Sequence, residues 1–509
     1  MSNRAANLFR RVAEEPDATA VVFDDFRMSF AYLAATVRHT AGALSSLGVE
    51  AGDRVGLWLP STPQFIGAQQ ALFLLGAAVT PINVLYLASD VRHAVASCDL
   101  DAIITTRSLA ESLQSDPPCR LIVVDSDTDE GAARSLRAAA SLSQPITTMA
   151  EVADDDLAML LLTSATTGKA KGVMLTAANL AANYDATPDW LGLDRRSVIL
   201  CALPLYNTFG LNQGINAMLQ TGGTLVLLSK FEAGACIDAI ARNRCTFLPA
   251  VPTMLQKILD HPAASRETLG SLQVIMTGGA PVPSAMLRRL LALAPDVRLL
   301  TGYGLTEATA LVTLTEVRLN ATGGIERERT IGRVLDGMDL AILDDDGNGL
   351  PAGESGEIAV RGPNVMAGYF RSPEDTAAAL GDGWLRTGDI GYLDHEGYAF
   401  IVDRKKDVII RGGQNIYPAD IEEVLYKFPG VAEAAVIAQS DELLGEVPVA
   451  FVVLNGGASG TTLEDMADHC RATLASYKCP VSIELRTELP KGPTGKILRR
   501  ALRDAARAA

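Results

Sequence analysis

The chain has 509 residues and a mass of 53.8 kDa, too long for a single hydrophobic core, which stops growing near about 250–300 residues. Its 48% hydrophobic and 20% charged content, with 44 Gly and 24 Pro, excludes a disordered or fibrous chain. Lys and Arg total 44 against 60 Asp and Glu, a net charge of −16. No general basic field attracts nucleic acid or an anionic membrane surface, so an anionic ligand must be held by local charge.

The first residues, MSNRAANLFRRVAEEPDATAV, lack the apolar core of a secretory signal. The uncharged stretch 201–229 is interrupted by Pro204, Asn207, Asn212, Gln213 and Asn216 and makes a poor membrane span. A cytoplasmic protein with no membrane or nucleic-acid partner is expected. The seven Cys (98, 119, 201, 236, 245, 470, 479) are odd in number and form no CxxC pair, which points to reduced, buried thiols rather than disulfides or zinc.

From the N-terminus, residues 33–47 have the period of an amphipathic helix, 55–59 read as a strand, 65–75 as a helix and 78–81 as a strand. This alternation predicts an α/β architecture with largely parallel sheets. From Gly332 the texture changes: 340–343, 356–361, 391–393 and 399–402 are short strands between turns such as DDDGNG and DHEG, a small antiparallel β section. After Asp403, the run RKKD precedes a strand at 408–410, a Gly-Gly turn and a helix from Pro418, so a compact α+β unit closes the chain, with its hinge at 404–406.

Residues 159–173 (MLLLTSATTGKAKGV) are an apolar strand feeding a loop with the hydroxyls of Thr163, Ser164, Thr166 and Thr167, then Gly168, Lys169 and Lys171. Hydroxyls and backbone N–H groups followed by cations suit a polyphosphate. The loop does not satisfy GxxxxGK[ST], which argues against the P-loop NTPases. Four later segments add to it. GYGLTE (302–307) offers an aromatic between glycines, able to stack on a purine, then a hydroxyl and a carboxylate suited to Mg²⁺. TGD (387–389) sets a carboxylate at a tight turn, where it can accept two ribose hydroxyls. DRKKD (403–407) supplies a guanidinium at the domain junction, and KGPTGKILRR (491–500) puts Lys496 behind a Pro/Gly turn. Each alone is equally a turn, a cap or a solvated face; the joint order is what is specific.

In that order the motifs resemble the adenylate-forming superfamily of acyl-CoA synthetases, luciferase-like enzymes and adenylation domains, over essentially the whole chain. The resemblance implies a large N-terminal domain (1–403) of two α/β subdomains and a small β-barrel (about 332–403), with a small mobile α+β C-terminal domain (404–509). It further implies that loop 163–172 binds the ATP phosphates and that Gly279, Ala280, Pro281 and Tyr303 frame adenine. Thr306 then touches phosphate, Glu307 holds Mg²⁺, and Asp389 and Arg404 hold ribose. Lys496 is the adenylation lysine, Lys406 the hinge residue, and Gly412 and Gly413 border the thiol channel. The implied reaction joins a carboxylic acid to coenzyme A through acyl-AMP. No carrier or reductase sequence follows Ala509, and LPLYNTFG (203–210) lacks the Asp that amino-acid-activating relatives carry, so coenzyme A and a free acid are preferred over a carrier protein and an amino acid. Lys405, Arg411 and Lys478 are candidate partners for its phosphates. Asn207, Gly210, Gly278, Gly302 and Gly304 are the candidate acid pocket, small enough for a bulky apolar acid. A homodimer is the default oligomer.

Three departures from the family pattern stand out. The phosphate loop usually reads TSGTTGxPKG, whereas Ala165 and Ala170 stand here for Gly and Pro, and Asn207 stands where acyl-activating relatives often have His. Both loop changes oppose a rigid, close cradle for the β- and γ-phosphates. The expected activity is an acyl-CoA ligase, in which Ala165 and Ala170 either are neutral replacements or weaken the adenylation half. The alternatives are a ligase that only thioesterifies acyl-AMP from a separate adenylating partner, and a non-catalytic acyl-adenylate or nucleotide sensor. A Ser/His hydrolase is disfavoured, because the five His lie in no hydrolase motif.

Overall fold

The computed structural model of the chain describes all residues except 1, 114, 164–170, 281, 413, 442, 455–461, 492–496 and 509. The chain divides into two compact units. One comprises Met1–Asp339 with Val360–Leu385, and the other Leu340–Ala359 with Arg386–Ala509.

The first unit is α/β, as the alternating pattern predicts, and holds two sheets. One runs, edge to edge, Gly368–Tyr369, Gly172–Thr176, Leu157–Leu162, Ala78–Pro81, Arg54–Trp58, Ala102–Thr105, Arg120–Val123 and Ala133–Ser135. It is parallel from Leu157–Leu162 onward and antiparallel at the first two pairings. The strands Ala78–Pro81 and Ala102–Thr105 are buried at every residue, the continuous apolar pattern of a sheet covered on both faces. Helix Phe30–Ser46, N-capped by Ser29, and helix Pro63–Leu75, stopped by Gly76 at φ +76°, cover the segments read as helical from sequence except Leu47, which is the C-cap of the first.

The second sheet of this unit carries Arg298–Gly304, Val274–Gly278, Phe247–Ala250, Val198–Cys201, Thr224–Leu227 and Thr19–Phe23 in parallel, with antiparallel strands at both ends. Parallel strands of an open α/β sheet deliver their C-terminal ends to one edge, the usual place for a ligand. Gly278 and Tyr303 stand at such ends.

Trp384–Leu393, in the second unit from Arg386 onward, and Ala399–Arg404 pair antiparallel, the former much longer than the 391–393 read from sequence. Beyond them, Val431–Asp441 and Gly445–Leu454 form a long hairpin with Ile409–Arg411, Gln414–Ile416 and Ser482–Leu485 at its sides. One sheet face buries Ile409, Val436 and Val452 under helices Pro418–Lys427 and Leu463–Thr473. The other buries Ile437, Val449 and Phe451 against Leu489 and against Leu502 in the last helix, Arg499–Ala508. Among the described residues no helix is long and apolar enough to cross a membrane.

Candidate active site

Thr163 and Lys171 close the base of the phosphate-loop hairpin: strands Leu157–Leu162 and Gly172–Thr176 pair through Leu162 and Gly172, and the Thr163 N–H donates to the Lys171 carbonyl at 3.0 Å. Ser164, Thr166, Thr167, Gly168 and Lys169, with Ala165 and Ala170, lie outside the described residues. Lys171 is held twice. Its ammonium pairs with Asp375 at 2.6 Å and lies 5.1 Å over the Tyr369 ring, within cation–π range. The Lys171 hydrogen bond, then that from Ser372, draws the Asp375 carboxyl below its ordinary value.

Strand Arg298–Gly304 ends in buried Tyr303, and Thr306–Ala308 forms one tight helical turn. Thr309 then takes φ +69°, a left-handed conformation costly for a β-branched residue. Segment 363–369 stabilises that turn. The Thr309 hydroxyl donates to the Asn364 carbonyl, Asn364 Nδ2 to the Ala308 carbonyl at 3.0 Å, and the Met366 N–H to the Glu307 carbonyl at 2.9 Å. The Tyr369 hydroxyl donates to Glu307 Oε1 at 2.9 Å, and burial, then the Glu307 charge, pushes this phenol up and keeps it protonated. Asn179, just beyond the phosphate hairpin, clamps the same segment by donating to the Pro363 and Val365 carbonyls, both at 2.8 Å. Thr163, Lys171, Tyr303, Thr306 and Glu307 therefore belong to one unit braced by one segment.

Among the described residues there is no group of three or more His, Cys, Asp and Glu able to hold a metal ion. One half-buried carboxylate fits Mg²⁺, which keeps waters and substrate phosphate oxygens and takes few protein ligands.

The acid-pocket glycines have packing reasons of their own. A Cβ on Gly278 would lie 2.5 Å from the Gly302 carbonyl oxygen, on Gly302 2.9 Å from that of Thr313, on Gly304 1.7 Å from that of Ala310, and on Gly210 2.2 Å from that of Pro204. Asn207 caps the turn that follows it, accepting from the Gly210 N–H at 3.0 Å. Gly279 differs: it has φ +80° and open space where a Cβ would stand, and with Ala280 it leaves the strand end Val274–Gly278. Pro281 lies outside the described residues.

In the second unit Asp389 and Arg404 are direct cross-strand partners, Arg404 Nε lying 2.8 Å from Asp389 Oδ1 with the carboxylate buried. TGD is not the tight turn expected from its sequence. It lies within strand Trp384–Leu393, where Gly388 takes φ +71° and its N–H donates to Glu357 Oε1 at 3.0 Å, a local kink that the turn-like composition reflects. Lys406 is in the short helical turn Lys405–Asp407, and burial pushes its ammonium down. Three further cations are engaged: Lys405 with Asp345 at 2.9 Å, Lys478 with Asp420 at 2.8 Å, and Arg411 with the Tyr477 carbonyl at 2.7 Å. Gly412 has φ +56° and its N–H donates to the Leu444 carbonyl. Gly413 and Lys496 lie outside the described residues.

Sequence reasoning missed Asn364, Tyr369 and Asp375. Their roles arise because Gly368–Tyr369 pairs with Gly172–Thr176, far away in the chain; the only local signal is a Gly-Tyr pair before SPEDT.

A profile for AMP-binding enzymes matches residues 8–370, and one for the AMP-binding enzyme C-terminal domain matches residues 420–496. The chain is 37% identical over 517 residues to the 3-[(3aS,4S,7aS)-7a-methyl-1,5-dioxo-octahydro-1H-inden-4-yl]propanoyl:CoA ligase of Mycobacterium tuberculosis, covering 98% of each. It is 36% identical over 497 residues to a feruloyl-CoA synthase of Amycolatopsis, covering 97% of each. Its fold is similar to ATP-bound MatB from Rhodopseudomonas palustris, with TM-score 0.90, 30% identity and 99% of each chain covered. It is also similar to MenE from Bacillus subtilis in complex with the acyl-adenylate OSB-AMP, with TM-score 0.86, 30% identity and 98% of each chain covered. The chain belongs to the AMP-binding enzyme family, within the adenylate-forming superfamily, and is of acyl-CoA synthetase type. It is an AMP-forming carboxylic acid–CoA ligase that uses ATP, Mg²⁺ and coenzyme A.

Proposed function

We propose that the protein activates a bulky, apolar carboxylic acid in two half-reactions, of which the first is the weaker. The carboxylate attacks the ATP α-phosphorus and expels pyrophosphate; the coenzyme A thiolate then attacks the acyl carbon and expels AMP. In this reading Thr163, Lys171 and the loop between them hold the phosphates, Thr306 touches them, and Glu307 holds Mg²⁺, which when bound neutralises phosphate charge. Tyr303, Gly279 and Ala280 frame adenine, Asp389 and Arg404 take the ribose, and Lys496 contributes positive charge to adenylation. The chain turns at 404–406 between the half-reactions, so that the domain boundary follows Asp403, and Gly412 and Gly413 border the thiol path.

The observation that carries the reading is the link from Lys171, through the Tyr369 ring, to Glu307, because it joins the base of the phosphate loop to the carboxylate suited to the metal. The acid is proposed to be of the class named for the M. tuberculosis relative, a propanoate on a bicyclic skeleton, on the strength of 37% identity across 98% of both chains. The weak first half is supported by Ala165, Ala170 and the partial neutralisation of Lys171 by Asp375.

The test is ATP–pyrophosphate exchange over a panel of ring-bearing and linear acids, beside thioester formation from each synthetic acyl-AMP and coenzyme A. Slow, acid-dependent exchange with faster thioesterification is expected. Exchange absent with every acid but thioester formed from acyl-AMP would favour the ligase served by a separate adenylating partner. Neither activity, with acyl-AMP still bound, would favour the sensor.

A further inference from the structure

Tyr369 lies between two opposite charges. Strand Gly368–Tyr369 pairs with Gly172–Thr176, with Tyr369 opposite Val173, so the residue is fixed to the outgoing arm of the phosphate hairpin. Its ring carries the Lys171 ammonium at 5.1 Å from the centroid, and its hydroxyl donates to Glu307 Oε1 at 2.9 Å. Among the described residues, this is the hydrogen bond that the Glu307 side chain accepts, at Oε1. Lys171 is already paired with Asp375 at 2.6 Å; a further, direct ion pair with Glu307 would cancel the anion a divalent metal needs.

We propose that Tyr369 is a positioning residue for the adenylation half-reaction, its ring seating Lys171 and its hydroxyl fixing one oxygen of Glu307 so that the other stays open to the metal. The proposal rests on Glu307 as the Mg²⁺-holding carboxylate. Tyr369 acts only through these two neighbours.

Tyr369→Phe keeps the ring, the strand pairing and the seat of Lys171, and removes only the hydroxyl. With a non-hydrolysable ATP analogue present, the dissociation constant of Mn²⁺, read from the electron paramagnetic resonance signal of the free ion, is expected to rise about tenfold, the worth of one hydrogen bond to a charged group. Thioester formation from supplied acyl-AMP, which needs no pyrophosphate cradle, stays within about twofold of the unsubstituted protein and confirms that the variant is folded. Tyr369→Leu, which also removes the ring, is expected to weaken binding of the analogue itself. Glu307→Gln is the reference and should weaken Mn²⁺ binding at least as much as Tyr369→Phe. If Glu307→Gln does so and Tyr369→Phe binds Mn²⁺ normally, the positioning role is overturned while the site stands. If Glu307→Gln leaves Mn²⁺ binding unchanged, the metal reading fails and the positioning role falls with it.

Discussion

At the scale of single residues, the glycines around the candidate pocket separate into two physical kinds. A methyl on Gly304 would enter the Ala310 carbonyl, whereas one on Gly279 would meet open space but suffer φ +80°. Gly304→Ala is therefore expected to cost about 3 kcal/mol or more through forced strand separation. Gly279→Ala should cost only about 1 kcal/mol of backbone strain. Urea denaturation of the two variants checks the order; a smaller loss for Gly304→Ala would show that the strand ends are loosely packed. The cysteines divide in a similar way. Burial pushes the thiols of the buried Cys98, Cys201, Cys236 and Cys245 up to about 12, while Cys479 is only half-buried. Since the thiolate is the nucleophile, iodoacetamide at mildly alkaline pH should label Cys479 before any of those four, as mass spectrometry of the native protein would report. The burial of most thiols was readable in the sequence, but not that Asn207 is a helix cap, because a cap is defined by the turn's hydrogen bond rather than by residue type.

Elements were legible where periodicity is local and obscure where a partner lies far away. The strand 78–81 and the glycine-ended helix that covers 65–75 follow from apolar runs and a stop signal. TGD misled because a glycine with positive φ inside a strand has a turn's composition. Two π-helical segments, Ala181–Asp185 and Leu211–Asn216, gave no sequence signal; Asn183 and Asn212 share a buried hydrogen-bond network there, and Asn183 reaches the Leu311 carbonyl at 2.6 Å. Charged elements are the hardest to foresee. In the second unit Arg499 of the last helix meets Glu422 at 2.8 Å, Asp407 at 3.2 Å and Asp403 at 3.4 Å, while Arg503 pairs with Asp407 at 2.9 Å. Glu422 is in helix Pro418–Lys427 and also accepts from the Val436 N–H. Removing one partner of a buried pair strands the other, so Glu422→Ala is expected to destabilise this unit by about 3–5 kcal/mol. Faster amide exchange along Pro418–Lys427 would report it; unchanged protection would mean that Asp403 and Asp407 alone satisfy Arg499.

For the whole molecule, the decisive contrast is between the acyl-CoA ligase class shared with its relatives and a candidate phosphate loop whose sequence departs from the family pattern. The order of phosphate loop, GYGLTE, TGD, DRKKD and C-terminal lysine was readable because each segment is contiguous, whereas the bracing by 363–369 was not, since it depends on how the sheet is threaded. Ala165 and Ala170 lie outside the described residues, and their chemistry alone carries the expectation. Ala165→Gly with Ala170→Pro removes a methyl from the loop proposed to hold the phosphates and lowers the conformational entropy of the chain there. About 1 kcal/mol recovered in this way corresponds to an approximately fivefold rise in ATP–pyrophosphate exchange. Acyl-AMP carries no pyrophosphate, so its conversion to the thioester should change by less than about twofold. An equal gain in both half-reactions would place the effect in folding or in acid binding, and no gain in exchange would mean that the two alanines are neutral replacements in an otherwise competent loop.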